Sequence, residues 1–141
     1  MKHNWSRQGK PSVTNKYYIP LSKGGKNPCA ISMPNCVAYA YGRAYELLEK
    51  KPKLSIGNPQ DWWRFNTENG YYPCGQSPKK FSIGVWENHV AVVEYVLSNK
   101  DICISQSHYN GVFFDTEVLK KSDNYKYRNG KLLGFIYLGV K

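Results

Sequence analysis

The chain has 141 residues, which is room for one domain of ordinary size. Its composition, with 41% hydrophobic, 21% charged and 15% aromatic residues, excludes an intrinsically disordered chain. Twenty basic against ten acidic residues leave a net charge of +10, which predicts an anionic partner such as a nucleic acid, a membrane surface or an acidic cell-wall polymer. Its apolar runs are too short to span a bilayer, and the polar first ten residues predict that no secretory signal is present.

The beginning of the chain differs in composition from the rest. Residues 1–16 are polar and basic and are expected to form a loose arm, whereas residues 17–141 are expected to form the single domain. Within that domain, residues 17–34 contain several glycines and prolines, which predict an irregular loop.

Two helices are predicted next. Asn35 is a good N-cap, and apolar residues recur at helical spacing over 36–50 until Pro52 closes the helix. A second helix is predicted over 59–68, with Asn58 as its cap and a proline in its first turn.

Short β-rich segments make up the second half of the chain. A turn-forming run at 98–101 predicts that two of them form a hairpin. Helices followed by antiparallel strands predict an α+β domain in which the N-terminal helices pack on a C-terminal antiparallel sheet. The predicted strands are Phe81–Trp86, His89–Leu97, Ile102–Gln106, Val112–Thr116 and Leu132–Val140.

Cys36 is the strongest candidate nucleophile, because it lies in the first turn of the first helix. Unpaired N–H groups and the helix dipole favour a thiolate there and lower the thiol pKa from its free value of about 8.5. Taken alone, Cys36 is better interpreted as a small buried residue, and its role as a nucleophile depends on the residues that accompany it. The other three cysteines, Cys29, Cys74 and Cys103, are expected to be structural or incidental.

The cysteine spacing gives little support to a metal site. No Cys-x-x-Cys pair occurs, so neither a metal nor another cofactor is predicted. Two disulfides are arithmetically possible, but free thiols are favoured because no secretory signal is expected.

A thiol nucleophile needs a base, and His89 is the best placed of the three histidines. It opens a strand, whereas His3 lies in the arm. A cysteine at a helix N-terminus, followed some fifty residues later by a histidine that opens an antiparallel strand, is the layout of papain-like hydrolases.

Four segments in order resemble the CHAP domains, the cysteine, histidine-dependent amidohydrolases/peptidases, and among them phage endolysins that act on Gram-positive walls. The first segment resembles the family's nucleophile helix, the second its histidine strand, the third the next strand and the last its closing strand. The resemblance as a whole covers roughly residues 17–139. The segments are Pro34–Arg43, Ser82–Glu94, Ile104–Asn110 and Leu133–Tyr137.

The resemblance implies a papain-like fold and hydrolysis of an amide bond in peptidoglycan. Cys36 matches the nucleophile and His89 the base, and Asn35 has a supporting position beside the thiol. His89 then takes the thiol proton, or the two rest as an ion pair, and the backbone N–H of Cys36 stabilises the oxyanion. Both the amide between muramic acid and L-alanine and a peptide bond of the stem or cross-bridge remain possible substrates.

The residue that orients His89 departs from the family pattern. Where a Glu, and two residues on an Asn, often follow the histidine strand, this chain has Gln106 and His108. Regular pairing across the 98–101 turn puts Leu97 opposite Ile102, which places His108 nearer to His89 than Gln106 is. The resemblance favours Gln106 instead, which requires a bulge, with His108 in a supporting role. A Gln106→Glu variant is then expected to keep activity and to raise the pKa of His89.

Aromatic and basic residues suggest how a wall would be held. Trp62, Trp63, Tyr71 and Tyr72 are a possible substrate groove that stacks on sugars, or they fill the core. The lysines would hold anionic wall polymers by charge.

Three classes of function therefore compete: a wall hydrolase, a non-catalytic basic and aromatic wall-binding module, and a nucleic-acid-binding protein, which ranks last because no recognisable nucleic-acid motif occurs. The expected partners of the hydrolase are peptidoglycan and anionic wall polymers, without nucleic acid or membrane insertion. It is expected to be a monomer that is made in the host cytoplasm and acts on the wall after release.

Overall fold

A computed structural model describes residues 5–140. It contains two α-helices, α1 (Cys36–Leu48) and α2 (Pro59–Asn69), and two short 3-10 helices, Leu21–Lys23 and Lys121–Asp123. The strands are β1 (Cys74–Gly75), β2 (Ile83–Trp86), β3 (His89–Val96), β4 (Ile102–His108), β5 (Val112–Leu119) and β6 (Leu132–Ile136).

Helix α1 begins where the sequence predicts and ends earlier. The Asn35 side chain accepts hydrogen bonds from the backbone N–H groups of Val37 and Ala38, which caps the first turn. At the other end Glu49 adopts a left-handed conformation with φ 57°, and its N–H bonds to the carbonyl of Tyr45. The helix is therefore closed by a left-handed residue three positions before Pro52.

The strands form one antiparallel sheet in the order β1-β6-β2-β3-β4-β5. Helix α1 packs on β3 and β4, and α2 packs mainly on β2 and β6. The main core lies between the two helices and the face of the sheet on which they pack. The predicted α+β class, with N-terminal helices on a C-terminal antiparallel sheet, is confirmed. The two-residue strand β1 was not predicted, because two residues are too few to show a periodicity.

A second core lies on the face of the sheet away from α1. Side chains alternate along a strand, so Val90 and Val92 face α1 while Ala91 and Val93 face the second core. His89 has the same parity as Ala91, which places it on the second face. The buried residues of this core are Trp86, Ala91, Val93, Ile102, Ile104, Leu119, Tyr125, Tyr127 and Phe135.

The N-terminal segment is not a loose arm over its described part. The Arg7 guanidinium donates to both carboxylate oxygens of Glu46, and the Arg7 backbone N–H donates to Glu94 at 2.8 Å. Arg43 completes this buried cluster by donating to both carboxylates. Two buried carboxylates need cationic partners, and the segment supplies one of them. Residues 1–4 lie outside the described part of the chain.

The β3–β4 hairpin differs from regular pairing in two places. Leu97 donates its N–H to the carbonyl of Asp101, and Lys100 is left-handed with φ 75°, so Val96 instead of Leu97 lies opposite Ile102. A bulge at Glu94 shifts the register again. The regular register that was considered as the alternative is therefore not adopted, and the bulge that a contact between Gln106 and His89 requires is present.

Within residues 5–140, no helix is both long and apolar enough to cross a membrane.

Candidate active site

The thiol of Cys36 lies at the N-terminus of α1, and this end of the helix is fixed from two sides. Asn35 caps the helix through its side chain, while its own backbone N–H donates to the hydroxyl of Ser107 on β4 at 3.0 Å. The cap takes up the N–H groups of Val37 and Ala38 but not that of Cys36. The helix therefore presents the Cys36 thiol and backbone N–H together at its start.

Burial and backbone dipoles act on the thiol in opposite directions. Burial raises the pKa of Cys36, and the N–H groups of Val90, Val37 and Cys36 itself lower it by a smaller amount. The net shift is upward, because burial outweighs the lowering that the helix N-terminus provides. Val90 directly follows His89, the first residue of β3. The hydrogen bond from the Val90 N–H therefore places the Cys36 sulfur beside the start of this strand.

His89 lies at the first position of β3, where a two-residue turn reverses the chain. It pairs with Trp86 across this turn and is 4% exposed. Burial lowers the pKa of His89 to about 4, and the hydrogen bond to Gln106 opposes this shift. The imidazole is therefore neutral at neutral pH, which favours proton transfer from a thiol over a resting ion pair.

The side chain of Gln106 fixes the tautomer of His89. Gln106 Oε1 lies 2.8 Å from His89 Nε2. The amide nitrogen Nε2 of Gln106 donates to Asp115 Oδ1 at 2.8 Å and to Glu117 Oε1 at 3.0 Å. Carboxylates only accept, so the amide oxygen must face the imidazole. His89 Nε2 then carries the proton, and Nδ1 keeps the lone pair that can accept a proton.

His108 lies beside this chain of hydrogen bonds without contacting Nε2 of His89. Its Nε2 is 3.1 Å from Asp115 Oδ2, and its Nδ1 is 3.1 Å from the hydroxyl of Tyr127. The rings of His108 and His89 are nearly parallel, with centroids 5.6 Å apart. Of the two candidates to orient His89, Gln106 makes the hydrogen bond.

Tyr127 packs flat against the imidazole. The rings of His89 and Tyr127 are 4.0 Å apart between centroids and 9° from parallel. Tyr127 is 2% exposed, and burial raises its pKa to about 12, so it remains a neutral hydrogen-bond donor. It holds one face of the ring while Gln106 holds its edge.

A cleft of about 430 Å³ opens beside Cys36. Its walls include Ile31, Ile56, Asn58 and Asn88, and none of the described residues that line it has a charged side chain. The uncharged lining distinguishes this cleft from the chain as a whole, whose net charge is +10. A larger cavity of about 710 Å³ lies elsewhere, beside the 3-10 helix Lys121–Asp123, and neither Cys36 nor His89 lines it.

The four aromatic residues proposed as a sugar groove do not form one. Trp62 is 1% exposed in the main core, and Trp63 and Tyr72 pack against that core. Tyr71 is exposed and lines a separate cavity with Phe65. Helix α2 turns its tryptophans towards the sheet, because burying their large apolar area is more favourable in free energy than leaving it exposed to water. Filling of the core, which was the alternative considered for these residues, therefore applies to Trp62, with Trp63 and Tyr72 packed beside it.

Of the remaining cysteines, Cys29 lines the same cleft as Cys36. All four cysteines fall within residues 5–140 and are free thiols, with Cys29 and Cys103 buried and Cys74 exposed. Burial raises the pKa of Cys29 to about 12. Among the described residues, no group of three or more His, Cys, Asp or Glu side chains is arranged to hold a metal ion.

Sequence reasoning missed four residues of the site. Asp115 and Glu117 lie on β5, Tyr127 lies between β5 and β6, and Ser107 lies between the two residues considered for orienting His89. The alternation of Asp115 and Glu117 along a strand was a signal that one face of β5 is acidic. Nothing in the sequence distinguishes Tyr127 from the other eleven tyrosines.

Comparisons with known proteins bear on the family and the fold of this chain. Residues 26–110 match the family model of the CHAP domain. The fold is similar to the 2.15 Å crystal structure of N-acetylmuramoyl-L-alanine amidase from Staphylococcus aureus, with a TM-score of 0.58 and 23% sequence identity. The match covers 76% of this chain and 32% of that chain, so this chain spans about a third of the amidase's length. Curated proteins yield no significant match.

Proposed function

The chain belongs to the CHAP domain family, and from this premise we propose that it hydrolyses an amide bond of peptidoglycan with Cys36 as nucleophile. The observation that carries the proposal is the hydrogen bond from His89 Nε2 to Gln106 Oε1. It leaves Nδ1 of a neutral imidazole free to act as a base, and the Cys36 thiol at the helix N-terminus is hydrogen-bonded by the N–H of the next residue along the strand, Val90.

The reaction begins from a neutral pair. Burial holds Cys36 as a thiol and His89 as an imidazole. His89 Nδ1 takes the thiol proton as the sulfur attacks the carbonyl carbon, and the imidazolium is stabilised through Gln106. It then gives the proton to the leaving amine, and water cleaves the thioester with His89 again acting as base.

The oxyanion would form next to the start of α1. The Cys36 N–H is not used by the Asn35 cap, and it carries the partial positive charge of the helix N-terminus. Asn35 and Ser107 support catalysis by holding this N–H in place.

The uncharged cleft favours the bond between muramic acid and L-alanine. The lactyl group and the alanine methyl that flank this amide carry no charge, and the cleft beside Cys36 offers isoleucine and asparagine side chains. The similar structure is named as an N-acetylmuramoyl-L-alanine amidase, which supports the same choice. We further propose that the chain acts as a lytic enzyme of the phage endolysin type, made in the host cytoplasm and acting on the wall after release, as a monomer.

The experiment uses purified Gram-positive peptidoglycan and mass spectrometry of the released fragments. Wild type should release fragments with a new L-alanine amino terminus, and Cys36→Ala should release none. Cys74→Ala is the matched control, because Cys74 is exposed and outside the site. A new amino terminus within the stem or bridge would replace the amidase assignment by an endopeptidase. Hydrolysis by Cys36→Ala would exclude Cys36 as nucleophile.

A further inference from the structure

The amide of Gln106 lies between a base and two acids. On β5, Asp115 pairs directly with Gln106, and Glu117 lies two residues further along on the same face. Both carboxylates accept a hydrogen bond from Gln106 Nε2, at 2.8 and 3.0 Å. Gln106 itself is 1% exposed, so these contacts are made by a buried amide.

The two carboxylates that accept from the NH2 group of Gln106 make its amide oxygen a stronger hydrogen-bond acceptor. Hydrogen bonds to an ionised group are stronger than neutral ones, and hydrogen bonds in a chain polarise one another. Electron density is drawn towards Gln106 Oε1, which is the atom that accepts from His89. A neutral side chain at this place would otherwise stabilise an imidazolium less than a carboxylate would.

We propose that Asp115 and Glu117 are positioning residues that act through Gln106, so that the amide holds and stabilises His89 as a carboxylate would. The proposal deepens the proposed function, since its effect on turnover exists only if His89 is the base. Neither carboxylate contacts the imidazole itself, because both hydrogen-bond to the far side of the amide.

Several other groups act on His89 from the surrounding elements. Electrostatic interaction with His108 on β4 and with Arg128, which follows Tyr127, lowers the pKa of His89, whereas interaction with Asp115 raises it. Cys36 lies at the start of α1, and Tyr127 covers one face of the ring. The side chain of Asp115 is 43% exposed, so solvent screens part of its charge.

The first test compares Glu117→Gln, Asp115→Asn and their double variant with Asp123→Asn. Glu117→Gln removes a charge at Gln106 without touching His108, and Asp123 is an exposed acid outside the site. The pKa of His89 is measured from its ring C–H signals by NMR, which requires no activity. We expect it to fall in the first three variants and to stay unchanged in Asp123→Asn.

Turnover on peptidoglycan is the second readout. In the double variant we expect kcat to fall about tenfold with KM unchanged, and the acid limb of the pH profile to move to lower pH. If the pKa of His89 and the acid limb stay where they are in wild type, Asp115 and Glu117 do not act through Gln106, and the proposal is overturned.

A charge exchange provides the rescue. Gln106→Glu alone puts three carboxylates together, so it should lower the melting temperature and not simply keep activity, as the sequence resemblance suggested. Combining Gln106→Glu with Asp115→Asn and Glu117→Gln moves the negative charge next to His89 and lets two amides donate to it. The triple variant should recover at least the kcat of wild type and raise the pKa of His89. A triple variant no better than the double would contradict the proposal.

The two proposals fail differently. If wild type releases no fragments from peptidoglycan while the pKa of His89 still falls in the Asp115 and Glu117 variants, the proposed function fails. The action of the two carboxylates through Gln106 then still stands. If wild type is active and the pKa of His89 is the same in wild type and in the Asp115 and Glu117 variants, only the proposed action of the two carboxylates through Gln106 fails.

Discussion

The phenol ring of Tyr127 lies parallel to the imidazole of His89, 4.0 Å away, while its hydroxyl is 3.1 Å from Nδ1 of His108. The ring therefore restricts rotation of the base, and the hydroxyl ties the ring to β4. When Nε2 of His108 donates to the Asp115 carboxylate, Nδ1 of His108 can accept from the hydroxyl of Tyr127. Tyr127 and Gln106 thus hold His89 from its face and from its edge.

Replacing Tyr127 separates the stacked ring from the hydroxyl. Tyr127→Leu should lower kcat by about tenfold, because the imidazole loses its parallel neighbour and with it a defined orientation. Tyr127→Phe keeps the ring and should stay within about threefold of wild type. Steady-state rates with a thermal melt of each variant check this. Equal losses in the two variants would show that the hydroxyl, and not the stacked ring, is what matters.

Gln106 and His108 should differ sharply in their effect on turnover. Gln106→Ala removes the acceptor that fixes the tautomer of His89 and should lower kcat by about a hundredfold or more. His108→Ala removes a neighbour whose side-chain hydrogen bonds are made to Asp115 and Tyr127 and not to His89, and it should be milder. The ratio of the two kcat values is the measurement. If kcat is strongly lowered in His108→Ala and close to the wild-type value in Gln106→Ala, His108 is the residue that orients His89.

Stability should decline with acid while the rate per folded molecule holds. The pKa of His89 is about 4 in the folded chain against 6.5 for a free side chain, so the unfolded state binds a proton first as the pH falls. Its contribution, up to about 3 kcal/mol, is complete above pH 6.5 and is lost as the pH falls towards 4. Urea unfolding at several pH values, compared with His89→Gln, isolates this contribution. A difference between the two proteins that does not vary with pH would contradict it.

The catalytic rate should show a different pH range. Because His89 remains neutral down to about pH 4 in the folded chain, kcat/KM should not fall between pH 7 and pH 5. A fall centred near pH 6.5 would mean that the imidazole is far better solvated than its 4% exposure implies.

The buried pair of Arg43 and Glu94 should be important for stability. Both side chains are fully buried, and Arg43 Nη2 lies 2.9 Å from Glu94 Oε1. Glu94→Ala leaves the guanidinium with one carboxylate too few and should cost about 3–5 kcal/mol. Asp61→Ala, which breaks the exposed pair with Arg64, is the control and should cost about 1 kcal/mol or less. Free energies of unfolding in urea measure both, and similar losses would contradict the expected role of burial.

Association with the wall should weaken with salt. The net charge of +10 attracts anionic wall polymers, and the screening length falls from about 10 Å at 0.1 M salt to about 3 Å at 1 M. Binding of inactive Cys36→Ala to purified walls, with and without their anionic polymers, measures this. Binding that is constant across this range of salt would indicate a specific pocket instead of charge.

The sequence by itself determined the elements that carry the reacting groups. The Asn35 cap and the apolar spacing after it place Cys36 at a helix start, and the turn before His89 places that residue at a strand start. These are local properties, because a cap or a tight turn is formed by residues within a few positions of one another. The same local signals gave the order of helices and strands, and hence the α+β class.

Only the tertiary structure decided how the base is held. The bulge at Glu94 and the left-handed Lys100 set the register of β3 against β4, and neither has an unambiguous local signal. Glu94 is buried at the bulge because Arg43 on α1 pairs with it, which is a contact between residues 51 positions apart. That register brings Gln106 to His89, and the pairing of β4 with β5 adds the two carboxylates. Tyr127 reaches the imidazole through a loop that shows no periodicity, so its place depends on the packing of the second core and not on its sequence neighbours.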